Sequence, residues 1–210
     1  MANLEKIEHT LKTGKEELIY DKTPVGLSIF DFWQWSQSDL LSNTTRGVFA
    51  EFIVKSAIGN DTNMIREEWN AYDLITSDGF KIEVKSAAYI QTWHQKTLSN
   101  ISFKIPQTRI WNISEEKYDS NRIRKSDIFV FSILTAQDGL IINPLDLKQW
   151  EFYVISTSEI NNICGNQKTI SLNPIKRITK SIQYPELKYE IENTKSKIIK
   201  SRKINQILNF

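Results

Sequence analysis

The fold of this chain is decided by residues 71–85, which read AYDLITSDGFKIEVK. Two apolar-rich runs flank Ser77-Asp78-Gly79, a three-residue loop with Gly last that is typical of a type I turn closed by a glycine bulge. The pattern predicts a β-hairpin with strands at 68–76 and 80–89. This loop pairs Thr76 with Phe80 and Leu74 with Ile82.

The predicted register decides which side chains share a face of the hairpin. The next pairs would be Asp73–Glu83, Tyr72–Val84 and Ala71–Lys85. The apolar face then carries Tyr72, Leu74, Thr76, Phe80, Ile82 and Val84, and the other face carries Asp73, Glu83 and Lys85. A two-residue Asp78-Gly79 turn would mix polar and apolar side chains on both faces. Burial of each large apolar side chain contributes about 1.5–3 kcal/mol, which favours the first register.

The polar face of this hairpin has the composition of a hydrolytic site. Asp73 and Glu83 would lie opposite each other with Cβ atoms roughly 5 Å apart, so their like charges need an offset. A divalent cation provides one, and carboxylate oxygens suit Mg²⁺. Lys85 would hold a water or a phosphate oxygen. The alternative is a salt bridge without catalytic function, although apolar neighbours argue against idle charges in this strand.

Around these residues the sequence resembles the PD-(D/E)xK, restriction-endonuclease-like nuclease superfamily. Asp73, nine intervening residues and Glu83-Val84-Lys85 reproduce its motif, with Tyr72 in place of the motif's Pro. Residues 46–52, RGVFAEF, resemble the preceding helix of that family, where Glu51 would be an extra carboxylate. Gln91 follows the second strand, where a polar residue facing the site is common.

The resemblance implies a fold, an activity and a set of roles. The expected fold is α/β (α+β), with a central mixed sheet flanked by helices. Asp73 and Glu83 would bind Mg²⁺, with Mn²⁺ as a substitute, and the Val84 carbonyl would complete the shell. Lys85 would orient the attacking water, and Glu51 would hold a second ion or a water. The implied substrate is DNA, with duplex favoured. The whole chain also resembles a bacterial family that shares residues 83–86 and 149–153.

Composition and length favour one globular domain. The chain has 210 residues, 40% hydrophobic and 25% charged, which is ordinary for a soluble protein. The expected organisation is an N-terminal helical appendage at 1–22, a nuclease-like domain at 23–183 and a basic C-terminal helix at 184–210. Cys164 is the single cysteine and the only histidines are His9 and His94, so a metal would be held by carboxylates.

Further elements follow from pattern and capping. Residues 45–58 predict a helix with Thr44 or Thr45 as N-cap and Gly59 just past its end. Strands are predicted at 100–105, 127–134 and 151–156, and a final helix from 184 toward 200. The aromatic cluster at 30–35 is assigned to core packing; stacking on single-stranded bases is the alternative.

The partners follow from charge and from the absence of apolar runs. No run approaches the roughly 20 residues of a membrane span, so a cytoplasmic location is expected. Phosphate contacts are expected from the basic tail after residue 194 and from Lys96, Lys104, Arg109, Arg122, Arg124 and Lys125. Arg124 and Asp127 would alternatively form an ion pair. A homodimer is one option, because cutting both strands favours twofold symmetry.

The rival functions are a noncatalytic nucleic-acid-binding or assembly module and an enzyme active only within a larger complex.

Overall fold

The first regular element among the described residues is a hairpin that the sequence did not predict. The computed structural model describes residues 4–5, 7–59, 65–67, 70–112 and 117–208. Strands β1 (Glu17–Tyr20) and β2 (Thr23–Ser28) pair antiparallel. Asp21 and Lys22 join them at φ 47° and 65°, as in a type I′ turn. The helix expected within 1–22 is therefore wrong for the described residues, because Gly14 at φ 90° interrupts any helix and residues 17–20 pair as a strand.

The aromatic cluster forms helix α1 (Ile29–Gln37), and its assignment to the core is wrong. Ser28 caps the helix, and its backbone N–H donates to Asp31 Oδ2 at 2.7 Å. The Ile29 N–H donates to the Glu16 carbonyl at 2.9 Å, which ties α1 to the preceding segment. No residue of α1 is buried, and Trp35 is 83% exposed. The helix packs beside its own hairpin, and its four aromatic side chains remain 38–83% exposed.

A mixed four-stranded sheet forms the centre of the fold. The elements are α2 (Asn43–Ile58), β3 (Leu74–Ile75), β4 (Lys81–Ala88), β5 (Ser102–Lys104), β6 (Thr108–Asn112), β7 (Lys117–Ile123), β8 (Ile128–Leu134), β9 (Trp150–Ser156), α3 (Thr157–Cys164), β10 (Thr169–Ser171), α4 (Leu172–Ile178) and α5 (Leu187–Leu208). The central order is β3-β4-β8-β9, with β4 and β8 parallel and the other pairs antiparallel. Strand β5 pairs with β10, and β6 with β7, in smaller sheets. This is the α+β architecture expected from sequence.

Each face of the central sheet has its own apolar core. On one face Val84, Val130 and Phe152 pack with residues of α2 and α5. On the other face Phe129 and Phe131 pack with residues of β5, α3 and α4. Strand β8 is buried along its whole length, so it is covered on both sides. Side chains alternate along a strand, which puts Glu83 and Lys85 on the second face.

The hairpin register is confirmed near its turn and wrong farther away. Leu74 pairs with Ile82, and the Thr76 N–H donates to the Phe80 carbonyl at 2.9 Å. Gly79 takes the predicted left-handed conformation at φ 85°. Strand β3 contains only two residues, however, so the predicted pairs Asp73–Glu83, Tyr72–Val84 and Ala71–Lys85 do not form. The ladder stops because the Val84 N–H donates to the Asp73 carboxylate where a backbone carbonyl would continue the strand. Residues 68–69 lie outside the described ranges.

Beyond residue 22 and outside the hairpin, the helices and strands that were predicted largely keep their predicted positions, whereas α1, α3, α4, β6, β7 and β10 were not predicted. Helix α2 is capped by Ser42, whose Oγ accepts from the Thr45 N–H at 3.3 Å, so neither predicted N-cap is correct. Gly59 ends this helix at φ 73°, as predicted. Strands β5, β8 and β9 occupy the predicted segments, and α5 follows a 3₁₀ turn at Tyr184–Glu186. Another 3₁₀ turn lies at Leu147–Gln149. Among the described residues, no helix has the length and apolar content needed to cross a membrane.

Candidate active site

Glu83 and Lys85 form an ion pair on strand β4. Lys85 Nζ lies 2.5 Å from Glu83 Oε1, and the two side chains are 29% and 21% exposed. Burial raises the pKa of the Glu83 carboxyl; the nearby Asp73 carboxylate raises it further, while Lys85 opposes the shift. The strand therefore presents a partly desolvated carboxylate with an ammonium group beside it.

Asp73 lies at the edge of the same strand through a bond to its backbone. The Val84 N–H donates to Asp73 Oδ2 at 2.7 Å. Val84 stands between Glu83 and Lys85 in the chain, so this bond holds the Asp73 carboxylate next to the segment that carries both. A backbone donor stabilises the ionised carboxylate. Asp73, Glu83 and Lys85 are thus brought together, although not through the strand pairing that the sequence predicted.

Glu51 belongs to the same electrostatic group from the side of α2. It is 8% exposed, and Arg66 donates two hydrogen bonds to its carboxylate, from Nε to Oε2 at 2.5 Å and from Nη2 to Oε1 at 3.0 Å. Burial raises the pKa of Glu51, Arg66 lowers it, and the Asp73 carboxylate raises it. Arg66 was not predicted from the sequence, because it lies in an irregular segment where no periodic pattern marks a partner for Glu51.

Four of the candidate residues, Glu51, Asp73, Glu83 and Lys85, line two separate cavities, and Gln91 lines a third. One, of about 400 Å³, is lined by Glu51, Asp73 and Arg66 together with apolar side chains such as Phe52 and Tyr72. The other, of about 290 Å³, is lined by Glu83 and Lys85. Among the residues that the structure describes, no three His, Cys, Asp or Glu side chains form a ready-made metal-binding group. Asp73 lines the first cavity and accepts a hydrogen bond from the backbone of the strand that borders the second.

A comparison with protein families adds an independent finding. The family model of bacteriophage T4 endonuclease IV matches residues 22–174 of the chain. The chain belongs to this endonuclease family. The match covers more than half of the 210 residues and includes every candidate site residue, whereas α5 lies outside it. No curated protein matches the chain. Membership identifies the protein as a nuclease, and does not by itself assign it to the PD-(D/E)xK superfamily.

In this endonuclease Gln91 belongs to a hydrogen-bonded group around the buried side chain of Arg46. Arg46 is 2% exposed and donates to Gln91 Oε1 at 3.2 Å, Ser86 Oγ at 3.1 Å and Asn43 Oδ1 at 2.7 Å. The Gln91 side-chain amide also donates to the Ala88 carbonyl at 2.8 Å. These bonds tie the start of α2 to the end of β4. The structure therefore gives Gln91 no hydrogen bond to Asp73, Glu83 or Lys85, and its partner Arg46 is, besides Arg66, a second polar residue whose role was not predicted from the sequence.

The residues expected to bind phosphate divide into four groups. Lys104, Arg124 and Lys125 line the cavity of Glu83 and Lys85. Lys96 lines the third cavity, of about 440 Å³, and Arg109 and Arg122 are exposed register partners on β6 and β7. Part of the basic tail is already engaged, since Lys195 pairs with Asp78, and Arg202 pairs with Asp127 at 2.5 Å. Asp127 thus pairs with Arg202 rather than with Arg124.

Proposed function

We propose that this chain is a metal-dependent endonuclease that hydrolyses phosphodiester bonds in DNA, with Asp73, Glu83 and Lys85 at its active site in the manner of PD-(D/E)xK enzymes. The observation that carries the proposal is the 2.7 Å bond from the Val84 N–H to Asp73, beside the 2.5 Å pair of Glu83 and Lys85. Family membership supports nuclease activity. Duplex DNA is the proposed substrate, and a homodimer that cuts both strands stays a prediction.

The donor chemistry of these residues fits Mg²⁺. All available donors are oxygens, which is the preference of a hard cation. Asp73 raises the pKa values of both Glu51 and Glu83, so the three carboxylates repel one another, and a cation beside Asp73 would offset that repulsion. Asp73, Glu83 and the Val84 carbonyl would hold Mg²⁺ or Mn²⁺, and Glu51 would hold a second ion or a water. When bound, the metal supplies Lewis acidity and lowers the pKa of a water ligand.

The protein's own groups would orient the reactants. Lys85 carries an ammonium group within 2.5 Å of the Glu83 carboxylate. With a cation held at Glu83, this ammonium group would donate to the attacking water or to a phosphate oxygen and would stabilise the charge that develops there. Arg66 pairs with Glu51, and Lys85 pairs with Glu83, so each carboxylate has a basic partner within the protein. The bond to Val84 fixes Asp73 and limits its rearrangement during the reaction.

The test is cleavage of supercoiled plasmid with Mg²⁺, followed by gel electrophoresis. Wild type is expected to nick or linearise the plasmid. Asp73→Asn, Glu83→Gln and Lys85→Met are each expected to lower the rate by about 10²-fold or more, because each removes a charge from the reacting centre. Glu151→Gln is the matched control, since Glu151 is a half-buried carboxylate on the same sheet face that accepts from the Tyr153 hydroxyl at 3.1 Å. Equal activity of Glu83→Gln and Glu151→Gln contradicts the proposed site.

A noncatalytic nucleic-acid-binding module is the second candidate function. The observation in its favour is that Glu51 and Glu83 already have basic partners, so the carboxylates are neutralised without a metal. This reading expects wild type to bind labelled DNA while leaving plasmid intact in both Mg²⁺ and Mn²⁺. Metal-dependent cleavage by the isolated chain excludes it, and also excludes a requirement for a larger complex.

A further inference from the structure

The cavity beside Glu83 and Lys85 has a strongly positive lining. It lies between the end of β5 and the segment that leads into β8, and its volume is about 290 Å³. Lys85, Lys104, Arg124 and Lys125 contribute four positive charges to the lining and Glu83 one negative charge, which leaves three positive charges in excess. A partly enclosed space with such an excess attracts anions.

Little of this charge is neutralised by the protein. Neither Lys104 nor Lys125 forms an ion pair with any residue that the structure describes, and Lys125 is half-buried. Arg124 is 6% exposed, yet its bonds go to neutral oxygens, including the Ile105 carbonyl at 2.9 Å and Asn161 Oδ1 at 2.6 Å. Those bonds fix the guanidinium and leave its positive charge to act on the cavity.

Ser126 also lines this cavity, and its buried hydroxyl has no hydrogen-bond partner among the described residues. The residue is 6% exposed. Its backbone is fixed, because the Thr157 hydroxyl donates to the Ser126 carbonyl at 2.7 Å. A buried hydroxyl without a partner costs free energy. A ligand that accepts a hydrogen bond in this cavity would remove that cost.

We propose that this cavity binds a phosphate of the nucleic-acid chain adjacent to the phosphate that is cleaved, with Lys104, Lys125 and Ser126 as its ligands. The position of this phosphate next to the cleaved one rests on the proposed function, which puts the reacting phosphate at Glu83 and Lys85. Three donors around one phosphate would fix the register of the backbone without reading bases. Affinity from this subsite is therefore largely independent of sequence and falls with salt.

The first test measures how DNA binding depends on salt. A fluorescein-labelled 12-nucleotide DNA, single-stranded and annealed to its complement, is titrated in EDTA so that no cleavage occurs. Lys104→Ala and Lys125→Ala are each expected to reduce the slope of log K against log salt by about 0.7 for the single strand or 0.9 for the duplex. Lys148→Ala is the control, because Lys148 is exposed and does not line this cavity. Slopes equal to that of Lys148→Ala overturn the proposal.

The second test uses inorganic phosphate and the two buried serines without partners. Ser132 Oγ, like Ser126 Oγ, is buried without a partner, but Ser132 lies in β8 on the opposite face of the sheet. At constant ionic strength, replacing chloride by phosphate is expected to raise the melting temperature of wild type and of Ser132→Ala, since phosphate binds the folded state. Ser126→Ala is expected to lose at least half of this rise. Equal rises in both variants, or none in wild type, overturn the proposal.

These measurements fail independently of the proposed function. If wild type leaves plasmid intact with Mg²⁺ but Lys104→Ala and Lys125→Ala still lose salt dependence, the subsite stands and the catalytic proposal falls. If wild type cleaves plasmid and the lysine variants bind like Lys148→Ala, the catalytic proposal stands and the subsite falls.

Discussion

Removal of Arg66 is expected to expose the cost of burying Glu51. The Glu51 side chain is 11% exposed and the Arg66 side chain 38%. Breaking a fully buried ion pair costs about 3–5 kcal/mol, whereas exposed pairs contribute about 0–1 kcal/mol. Because water screens Arg66 substantially, Arg66→Ala should lower the free energy of unfolding by about 1–3 kcal/mol at pH 8.

The loss in Arg66→Ala should shrink as the pH falls. Burial raises the pKa of Glu51 above its ordinary 4.5, and Arg66 is the partner that lowers it. A group whose pKa is raised on folding contributes stability that is fully present below its unfolded-state pKa. This contribution is lost as the pH rises through its folded-state pKa. Without Arg66 the pKa of Glu51 rises further, so Glu51 becomes neutral at a higher pH and no longer needs a cation. The difference from wild type is therefore largest at pH 8 and smaller toward pH 5.

Urea denaturation at both pH values measures this effect, and a double-mutant cycle isolates the pair. In a Glu51→Gln background, Arg66→Ala should cost much less, because the buried charge is absent. Lys197→Ala serves as the exposed control, since Lys197 is 66% exposed and 4.0 Å from Glu190; its cost should stay within about 1 kcal/mol. An equal loss in the Glu51→Gln background, or a loss that does not change with pH, refutes the reasoning.

Two further predictions concern stability, and urea denaturation checks both. Arg46→Met should lower the free energy of unfolding by about 2–4 kcal/mol, because Arg46 is 2% exposed and its loss leaves Ser86 Oγ and Gln91 Oε1 without their charged donor. A change below about 0.5 kcal/mol contradicts this role. Gly79→Ala should destabilise by about 1–2 kcal/mol, because Gly79 has φ 85°. Gly47→Ala is its control and should stabilise by about 0.5–1 kcal/mol, since Gly47 lies in α2 with open space at the Cβ position. Equal signs for the two alanine variants contradict the argument.

Local sequence determined the parts of the candidate site that depend on near neighbours. Gly79 alone accommodates the left-handed turn at low cost, and the turn sets Leu74 opposite Ile82. The strict alternation of β4 then puts Glu83 and Lys85 on one face, whatever packs around it. Gly59 ends α2 for the same local reason. These features were predictable because each is fixed within a few residues along the chain.

Tertiary structure decided how those elements meet. The parallel pairing of β4 with β8 joins residues more than forty positions apart, and periodicity carries no information about such a partner. The Asp73 carboxylate replaces a strand carbonyl at Val84, so the ladder ends where alternation predicted that it would continue. Arg66 bonds to Glu51 from an irregular segment, and Arg46 donates a hydrogen bond to Gln91. Sequence thus determined which side chains share a strand face, while long-range hydrogen bonds and burial decided which charges neutralise one another.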